Sequence, residues 1–593
     1  MGFEYALVHV KYTIPPAILL TALYRPLLTR LDAYKIACLI TIAVISTIPW
    51  DSYLIRTRIW SYPSRVIIGP KLFDIPLEEV FFFVIQTYNT SLLYLILSKP
   101  TFQPVYLRVE RGTSHPSGPC NVQWSWYRRL GQVALICVVA LGWRLVISED
   151  IGTYTGLILV WAGPFLLLLW SLGYQFILGL PLSNTLCPIT IPTIYLWIVD
   201  TLALKRGTWV INPGTKYGVH LWSGLDIEEA LFFLVTNMLI VFGHLAFDNA
   251  LSILYTFPSL FPEPPVLPSP VFLLRALFTA TAKYDEARLA GLQEAVVRLK
   301  RKSRSFYLAS STFHGQIRVD LMLLYSFCRV ADDLVDNASS AEEANQWIAK
   351  LHTFLQLAYS GDKSQSGIST YVQGNFPAEI QSALLQFPFT KLSPEPLQDL
   401  LHGFEMDLAF NTAPPIRNEA DLEIYSQRVA GTVAQMCNEL IFHIYETTKS
   451  LDDQQRIIKA GNRMGIALQY VNIARDISVD AKIGRVYLPL TWLKEAGIQY
   501  DAVVKDPQAP IIERLRSKLL DKAFALYEEA RDAIEELPVE ARGPIRVAVE
   551  SYMEIGRVLR QEGYVVKAGR ATVPKMRRLR VAWSVLNRCS PRS

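Results

Sequence analysis

Seven long apolar stretches dominate the first 250 residues of the chain, at residues 5–24, 34–50, 77–97, 131–146, 154–172, 186–204 and 227–246. Several approach the ~20 residues that a helix needs to cross the hydrocarbon core of a bilayer, and the shorter ones are flanked by aromatic residues. The pattern predicts seven transmembrane helices. Beyond residue 270 apolar positions recur at helical spacing among Glu, Lys, Leu and Ala, without strand alternation, which predicts a water-facing all-α domain. Between the two regions Pro258, Pro262, Pro264, Pro265, Pro268 and Pro270 lie close together. Proline at that density cannot continue a helix and makes a semi-rigid linker. The expected organisation is a membrane domain over 1–251, a linker over 252–270 and a second domain over 271–593.

One pattern in the membrane domain occurs twice. Trp50-Asp51, Trp60 and the run from Ile75 through Pro76, Leu77, Glu78, Glu79 and Val80 to Phe81-Phe82-Phe83 return about 150 residues later. The second copy reads Val199-Asp200, Trp209, then Leu225, Asp226, Ile227, Glu228, Glu229, Ala230, Leu231 and Phe232-Phe233, in register within one residue. The repeat takes in roughly 1–100 and 150–250. Four predicted helices separate the copies, so both enter the membrane in the same direction. That implies a pseudo-two-fold axis along the membrane normal and two like sites facing each other. Carboxylates at membrane depth are costly and usually turn to the bundle interior. Acids in a first helical turn also favour the helix dipole, but repetition of the whole constellation argues against capping alone. A carboxylic acid in a low-dielectric site can deliver a proton, and a neighbouring carboxylate and aromatic faces can stabilise a cation.

The second region carries two acidic motifs, Arg329-Val-Ala-Asp332-Asp333-Leu-Val-Asp336 and Asn472-Ile-Ala-Arg475-Asp476-Ile-Ser-Val-Asp480. Aspartates four apart share a helical face and repel each other unless a cation joins them. One such pair reads as a solvated helix face. Two pairs, each preceded by an arginine and set in apolar sequence, suit Mg²⁺, which takes a few carboxylates plus substrate phosphates.

Composition narrows the classes further. A hydrophobic fraction of 51% is high for a soluble protein, and charge is sparse before residue 250 and dense after it. The net charge of +5 and the absence of a basic block exclude a nucleic-acid partner. Cys38, Cys120, Cys137, Cys187, Cys328, Cys437 and Cys589 are scattered without C-x-x-C spacing, which points to a reducing, intracellular setting without disulfides or zinc. The first residues lack a basic region and cleavage site, and Ala6 stands where myristoylation needs Ser or Thr. Arg56, Arg58, Arg65 and Lys71 lie on one face and Arg108, Arg111, Arg128 and Arg129 on the other, so charge alone gives no orientation. No glycine-rich dinucleotide fingerprint is present. His220, His244 and His314 have no metal-ligand spacing, and the basic stretch from Lys575 to Trp583 reads as a helix end or membrane-surface contact.

The duplicated Asp and Pro-Leu-Glu-Glu-x-Phe-Phe pattern resembles the fungal and archaeal type of lycopene β-cyclase, in which two short homologous halves make one enzyme. The resemblance implies that Glu78, Glu79, Glu228 and Glu229, with Asp51 and Asp200, form an acid-base site; the second copy departs from the pattern at Asp226 and Ile227. Ser303-Arg304-Ser305-Phe306-Tyr307, the run from Tyr425 and Arg428 to Gly431-Thr432-Val433, and the run from Asp480 and Lys482 to Gly484-Arg485-Val486-Tyr487-Leu488-Pro489 resemble phytoene and squalene synthases over most of residues 285–575. That likeness implies the isoprenoid-synthase fold. It also implies that Asp332, Asp336, Asp476 and Asp480, with Asn472 as helper, position Mg²⁺ (or Mn²⁺) on diphosphates. Arg304, Arg329, Arg475 and Arg485 would contact phosphate, Tyr307, Tyr425 and Gln469 would line the reacting region, and Asp333 is a bystander.

Together these readings imply a bifunctional fungal-type enzyme that condenses two geranylgeranyl diphosphates to phytoene and cyclises lycopene, with no nicotinamide cofactor. Its setting would be an intracellular bilayer, an endomembrane, with the prenyltransferase domain in the cytosol. Self-association, assembly with other carotenoid enzymes and the number of lycopene ends cyclised are left open. Two other readings compete. A squalene synthase with an anchoring bundle would use NADPH and usually carries a C-terminal anchor, whereas this C-terminus is charged and too short to span. A retinal photoreceptor needs a lysine in its last helix, and residues 227–246 hold none.

Overall fold

The computed structural model describes residues 2–109, 122–360, 365–410, 412–445, 447–561, 564 and 573–587. Cys120, Cys589 and Arg111 lie outside them, as do the side chains of Arg304 and Lys575. The five described cysteines are free thiols. The chain forms two compact units, Met1–Leu289 and Ala290–Ser593, so the proline-rich stretch belongs to the first.

Seven helices among the described residues of the first unit are long and apolar enough to cross a membrane. They are α1 (Glu4–Leu27), α2 (Arg30–Arg56), α3 (Leu77–Ser98), α4 (Val122–Ile147), α5 (Thr153–Gly179), α6 (Leu186–Lys205) and α7 (Ile227–Thr256). Several outrun the apolar stretches that predict them. Thr29 and Asp32 form a capping box that starts α2 ahead of its apolar run. At the far end of α7 the polar Asp248 is accommodated because Lys35 pairs with it and Tyr94 and Gln103 donate to it at 2.6 Å each. α4 turns most of its surface outward, with Trp126, Val133, Ile136, Leu141, Trp143 and Ile147 exposed, as a lipid-facing helix does.

The repeat is visible in three dimensions. β1 (Trp60–Ser61) follows α2 and pairs antiparallel with β4 (Val210–Ile211), which follows α6. The hairpin β2–β3 (Lys71–Leu72, Ile75–Pro76) leads into α3, and the hairpin β5–β6 (His220–Trp222, Leu225–Asp226) leads into α7. Ser61 pairs with its own repeat counterpart, Val210, and Gln86 donates to its counterpart Thr236 at 3.0 Å. Contacts between counterparts occur only on or beside a two-fold axis, so the two halves meet face to face.

The second unit is all-α. The elements that carry its chemistry are α8 (Arg304–Ser310), α9 (Gly315–Asp336), α10 (Glu395–Ala409), α11 (Glu419–Ser426), α12 (Leu451–Asp480) and α13 (Val539–Leu559). One continuous apolar core joins all of these but α8. Gly431 and Gly465 let two backbones touch: a Cβ on Gly465 would stand 2.6 Å from the carbonyl oxygen of Ala430. This close approach gives the Val429-Ala430-Gly431 motif a packing reason and seats the turn after α11 against α12.

Candidate functional sites

In the first unit the two Glu-Glu pairs open α3 and α7, and all four side chains are buried. Their tasks differ within each pair. The Oε1 atom of Glu78 accepts the backbone N–H of Ile68 at 2.7 Å, and that of Glu228 accepts the N–H of Tyr217 at 2.8 Å. These carboxylates hold the loops that precede the helices. Glu79 instead accepts the Tyr5 and Tyr62 hydroxyls, the latter at 2.7 Å, and Glu229 accepts the Tyr154 hydroxyl at 2.7 Å.

Glu79 and Glu229 line one narrow cavity with Asp200, His9, Trp60, Trp209, Phe82, Phe232 and Phe233. Glu78, Glu228 and Asp51 are not on its wall. Asp51 is nonetheless fully buried, and neither of its carboxylate oxygens has a hydrogen-bond partner. Such a group is costly unless a task retains it. Behind the wall Trp50 stacks on Trp161 and on the lining Phe232 at 4.7 and 5.6 Å between ring centres, and on the wall itself Phe82 meets Phe233 edge-on at 6.1 Å. The cavity holds about 30 Å³, room for roughly one water molecule, so a larger guest enters only as these side chains move.

The second unit presents a different site. A cavity of about 690 Å³ is walled mainly by apolar side chains of α9, α10, α12 and α13. Asp332, Asp336, Asp476 and Asp480 line it, together with Asn472, Gln469, Tyr425, Arg329 and Arg485. Asp336 and Asp480 are the last residues of α9 and α12. Helix C-termini carry partial negative charge, so four carboxylates gathered there are unfavourable without cations beside them. Arginines provide part of that charge. Arg329 bridges Asp332, at 2.8 Å, and Asp333; Arg475 bonds Asp476 at 2.6 Å and Asn472; Arg485 reaches across to Asp336 at 3.1 Å. Gly484, at φ 73°, ends the turn after α12 and lets the chain swing Arg485 back over the cavity.

Among the described residues no three His, Cys, Asp or Glu side chains converge on one point as a closed metal cage. Facing aspartate pairs nevertheless fit a divalent ion that completes its shell with water and substrate phosphates. Burial and the nearby Asp336 charge push the Asp332 carboxyl up to about 7, even with Arg329 beside it.

The remaining candidates separate. Tyr307 is not on the cavity wall, where its neighbours Ser303 and Phe306 stand, and Lys300 lies over its ring at 4.9 Å. Arg475 acts through its bonds to Asp476 and Asn472. Asp333 is more than a bystander, because it anchors Arg329 and lies 3.4 Å from Lys302. Sequence reading missed Asp407 on α10, which lines the cavity and accepts the hydroxyls of Tyr425 at 3.2 Å and Tyr487 at 2.8 Å. Burial pushes its carboxyl up to about 6. A lone aspartate without a partner four residues away gives no signal in the sequence. Tyr5 and Tyr154 were missed as well, although they stand at equal places in the two repeats.

The squalene/phytoene synthase family matches residues 299–577. A protein of Leptosphaeria maculans called bifunctional lycopene cyclase/phytoene synthase is 68% identical over 99% of this chain and 100% of its own length. Proteins of the same description from Pyrenophora tritici-repentis and Gibberella fujikuroi are 68% and 56% identical, each over 99% of this chain and all of theirs. At that identity and coverage, with both carboxylate sites present, the chain belongs to the bifunctional lycopene cyclase/phytoene synthase family.

Proposed function

We propose that the second unit condenses two geranylgeranyl diphosphates head to head into phytoene through prephytoene diphosphate, and that the first unit cyclises the ends of lycopene toward γ- and β-carotene. The observation that supports this reading best is the pairing of two unlike carboxylate sites in one chain. One gathers aspartates and arginines at the wall of a large apolar cavity; the other sets carboxylates among phenols and aromatic rings inside a bundle of long apolar helices.

In the second unit Asp332, Asp336, Asp476 and Asp480, with Asn472, would hold Mg²⁺ or Mn²⁺. The bound ion supplies positive charge to the departing diphosphate. Arg329 and Arg485 bind the phosphates, and the apolar walls exclude water that would trap the allylic cation. Each of the two diphosphates that leaves is matched by one lost proton, so no reductant and no nicotinamide cofactor are required.

In the first unit a carboxyl group protonates the terminal double bond of a lycopene end. The neighbouring double bond closes the ring, the aromatic walls shelter the cation, and a carboxylate removes a ring proton. One proton enters and one leaves, without redox change. Glu79 and Glu229 are assigned this exchange because they face the cavity, with Asp200 beside them and Asp51 behind; Glu78 and Glu228 hold the loops. The chain would lie in an intracellular membrane with the second unit in the cytosol.

The test is expression in a host that supplies geranylgeranyl diphosphate and, separately, in one that accumulates lycopene, followed by pigment analysis. Phytoene in the first and cyclised carotenoid in the second are expected. Squalene as the main product from farnesyl diphosphate and NADPH would overturn the reading of the second unit.

A further inference from the structure

The Glu-Glu repeat extends further than its two acidic stretches. Tyr5 stands near the start of α1 and Tyr154 near the start of α5, each about 150 residues from its counterpart. Both are buried, with 2% and 0% of their surface exposed. Tyr5 donates its hydroxyl to Glu79 and Tyr154 donates to Glu229, across 74 and 75 residues of chain. Burying a phenol in an apolar bundle is tolerable only when its hydroxyl has a partner, so each Tyr–Glu pair satisfies both members. A helix that delivers a donor to the same carboxylate in both halves has a common task in both.

The halves are not equal. Glu79 has a second phenol, Tyr62, at 2.7 Å. At the repeat position of Tyr62, two residues after the tryptophan, the second half has Ile211. Ile211 offers no hydroxyl, so among the described residues Glu229 has Tyr154 alone as phenol donor.

We propose that Tyr5 and Tyr154 are repeat-related positioning residues of the cyclase, which hold Glu79 and Glu229 toward the cavity, and that Tyr62 makes the first of them redundant and leaves the second indispensable. A phenol that fixes a carboxylate removes the rotamer freedom that would let it turn away from a guest. The inference rests on the assignment of Glu79 and Glu229 to proton transfer.

The test uses the full chain in proteoliposomes, with lycopene cyclisation and phytoene synthesis measured on each preparation. Tyr154→Phe is expected to lower kcat for cyclisation by about tenfold or more with KM little changed, the loss of one hydrogen bond to a charged group. Tyr5→Phe alone is expected to stay within about threefold of the parent, and Tyr5→Phe with Tyr62→Phe to fall about as far as Tyr154→Phe. Phytoene synthesis should be unchanged in all of them and reports intact folding. Parental kcat in Tyr154→Phe, or a change confined to KM, overturns the proposal. So does a loss in Tyr5→Phe as deep as in Tyr154→Phe. Should Tyr154→Phe not accumulate, the Tyr5 and Tyr62 variants decide by themselves, since redundancy demands that the double variant lose far more than either single one. Glu229→Gln and Glu79→Gln separate the two levels of argument. If both retain cyclisation, the underlying assignment fails; if they lose it while the phenol variants keep full kcat, only this inference fails.

Discussion

The cavity-facing glutamates of the first unit meet neutral donors, and the paired aspartates of the second meet arginines. Around Glu79 and Glu229 the partners are phenols and aromatic rings, and among the described residues no Lys or Arg lines the cavity. Around the four aspartates of the second unit stand Arg329, Arg475 and Arg485. The chemistry proposed for each unit accounts for the difference. A departing diphosphate needs fixed positive charge, whereas a cyclising hydrocarbon has no leaving group and develops a cation that a guanidinium would repel. The first unit does hold ion pairs: Lys35 with Asp248, where sixteen positions of α2, roughly 24 Å along the helix, separate Lys35 from Asp51, and Lys216 with Asp226 at 2.6 Å, just before the glutamates of α7. Neither lysine stands on the wall of the cavity that Glu79 and Glu229 line.

The strongest break of this comparison is removal of a second-unit aspartate. Asp332→Ala or Asp476→Ala should abolish phytoene formation, while cyclisation of supplied lycopene continues, as read by product analysis of the same membranes. Loss of both activities with normal protein level would show that the two sites are not independent.

Next in size is the exchange of the cavity-facing glutamates. Glu79→Gln and Glu229→Gln should each lower cyclisation on the order of a hundredfold, because glutamine keeps shape and hydrogen bonding but transfers no proton. β-Carotene near the parental level from both would remove the acid-base role from these residues.

A smaller effect sharpens the charge argument. Asp332 has its carboxyl pushed up to about 7 by burial and by Asp336, so in the metal-free protein it gains a proton as pH falls through 7. Metal binding must displace that proton. The metal concentration that half-activates phytoene synthesis should therefore rise by up to about tenfold per pH unit below 7. The sign for stability is the reverse. A carboxyl raised in the folded state contributes stability below its unfolded value that is lost as pH rises through about 7, so the metal-free second unit should melt at lower temperature at pH 8 than at pH 6. A flat metal requirement between pH 6 and 8 would count against this.

The smallest expected change concerns the loop-holding glutamates. Glu78→Gln and Glu228→Gln retain an acceptor for the N–H groups of Ile68 and Tyr217, so cyclisation should fall by no more than about threefold, the cost of weakening one hydrogen bond. A hundredfold loss would return these residues to the acid-base set.

Much of this architecture is legible along the chain. The seven long apolar helices follow from apolar runs of bilayer length, the all-α second unit from helical periodicity, and the duplicated site from the recurrence of its acidic and aromatic residues. The aspartate pairs are legible because four-residue spacing puts them on one helical face. These are local properties, and backbone geometry ties spacing to direction within one element.

Adjacency between elements is another matter. Neighbouring residues of a helix point about 100° apart, so which of Glu78 and Glu79 faces the cavity depends on how α3 packs, not on the Glu-Glu motif. Tyr5 and Tyr62 reach Glu79 across 74 and 17 residues, and nothing in their own surroundings marks them. Asp407 comes beside Arg485, Asp336 and two tyrosine hydroxyls only when α10 docks against the turn after α12. The sequence by itself determined which residue types and which faces would carry charge. Tertiary packing decided which charges meet, because contacts between distant segments arise when apolar faces close on one another, and no periodicity within one segment encodes its partner.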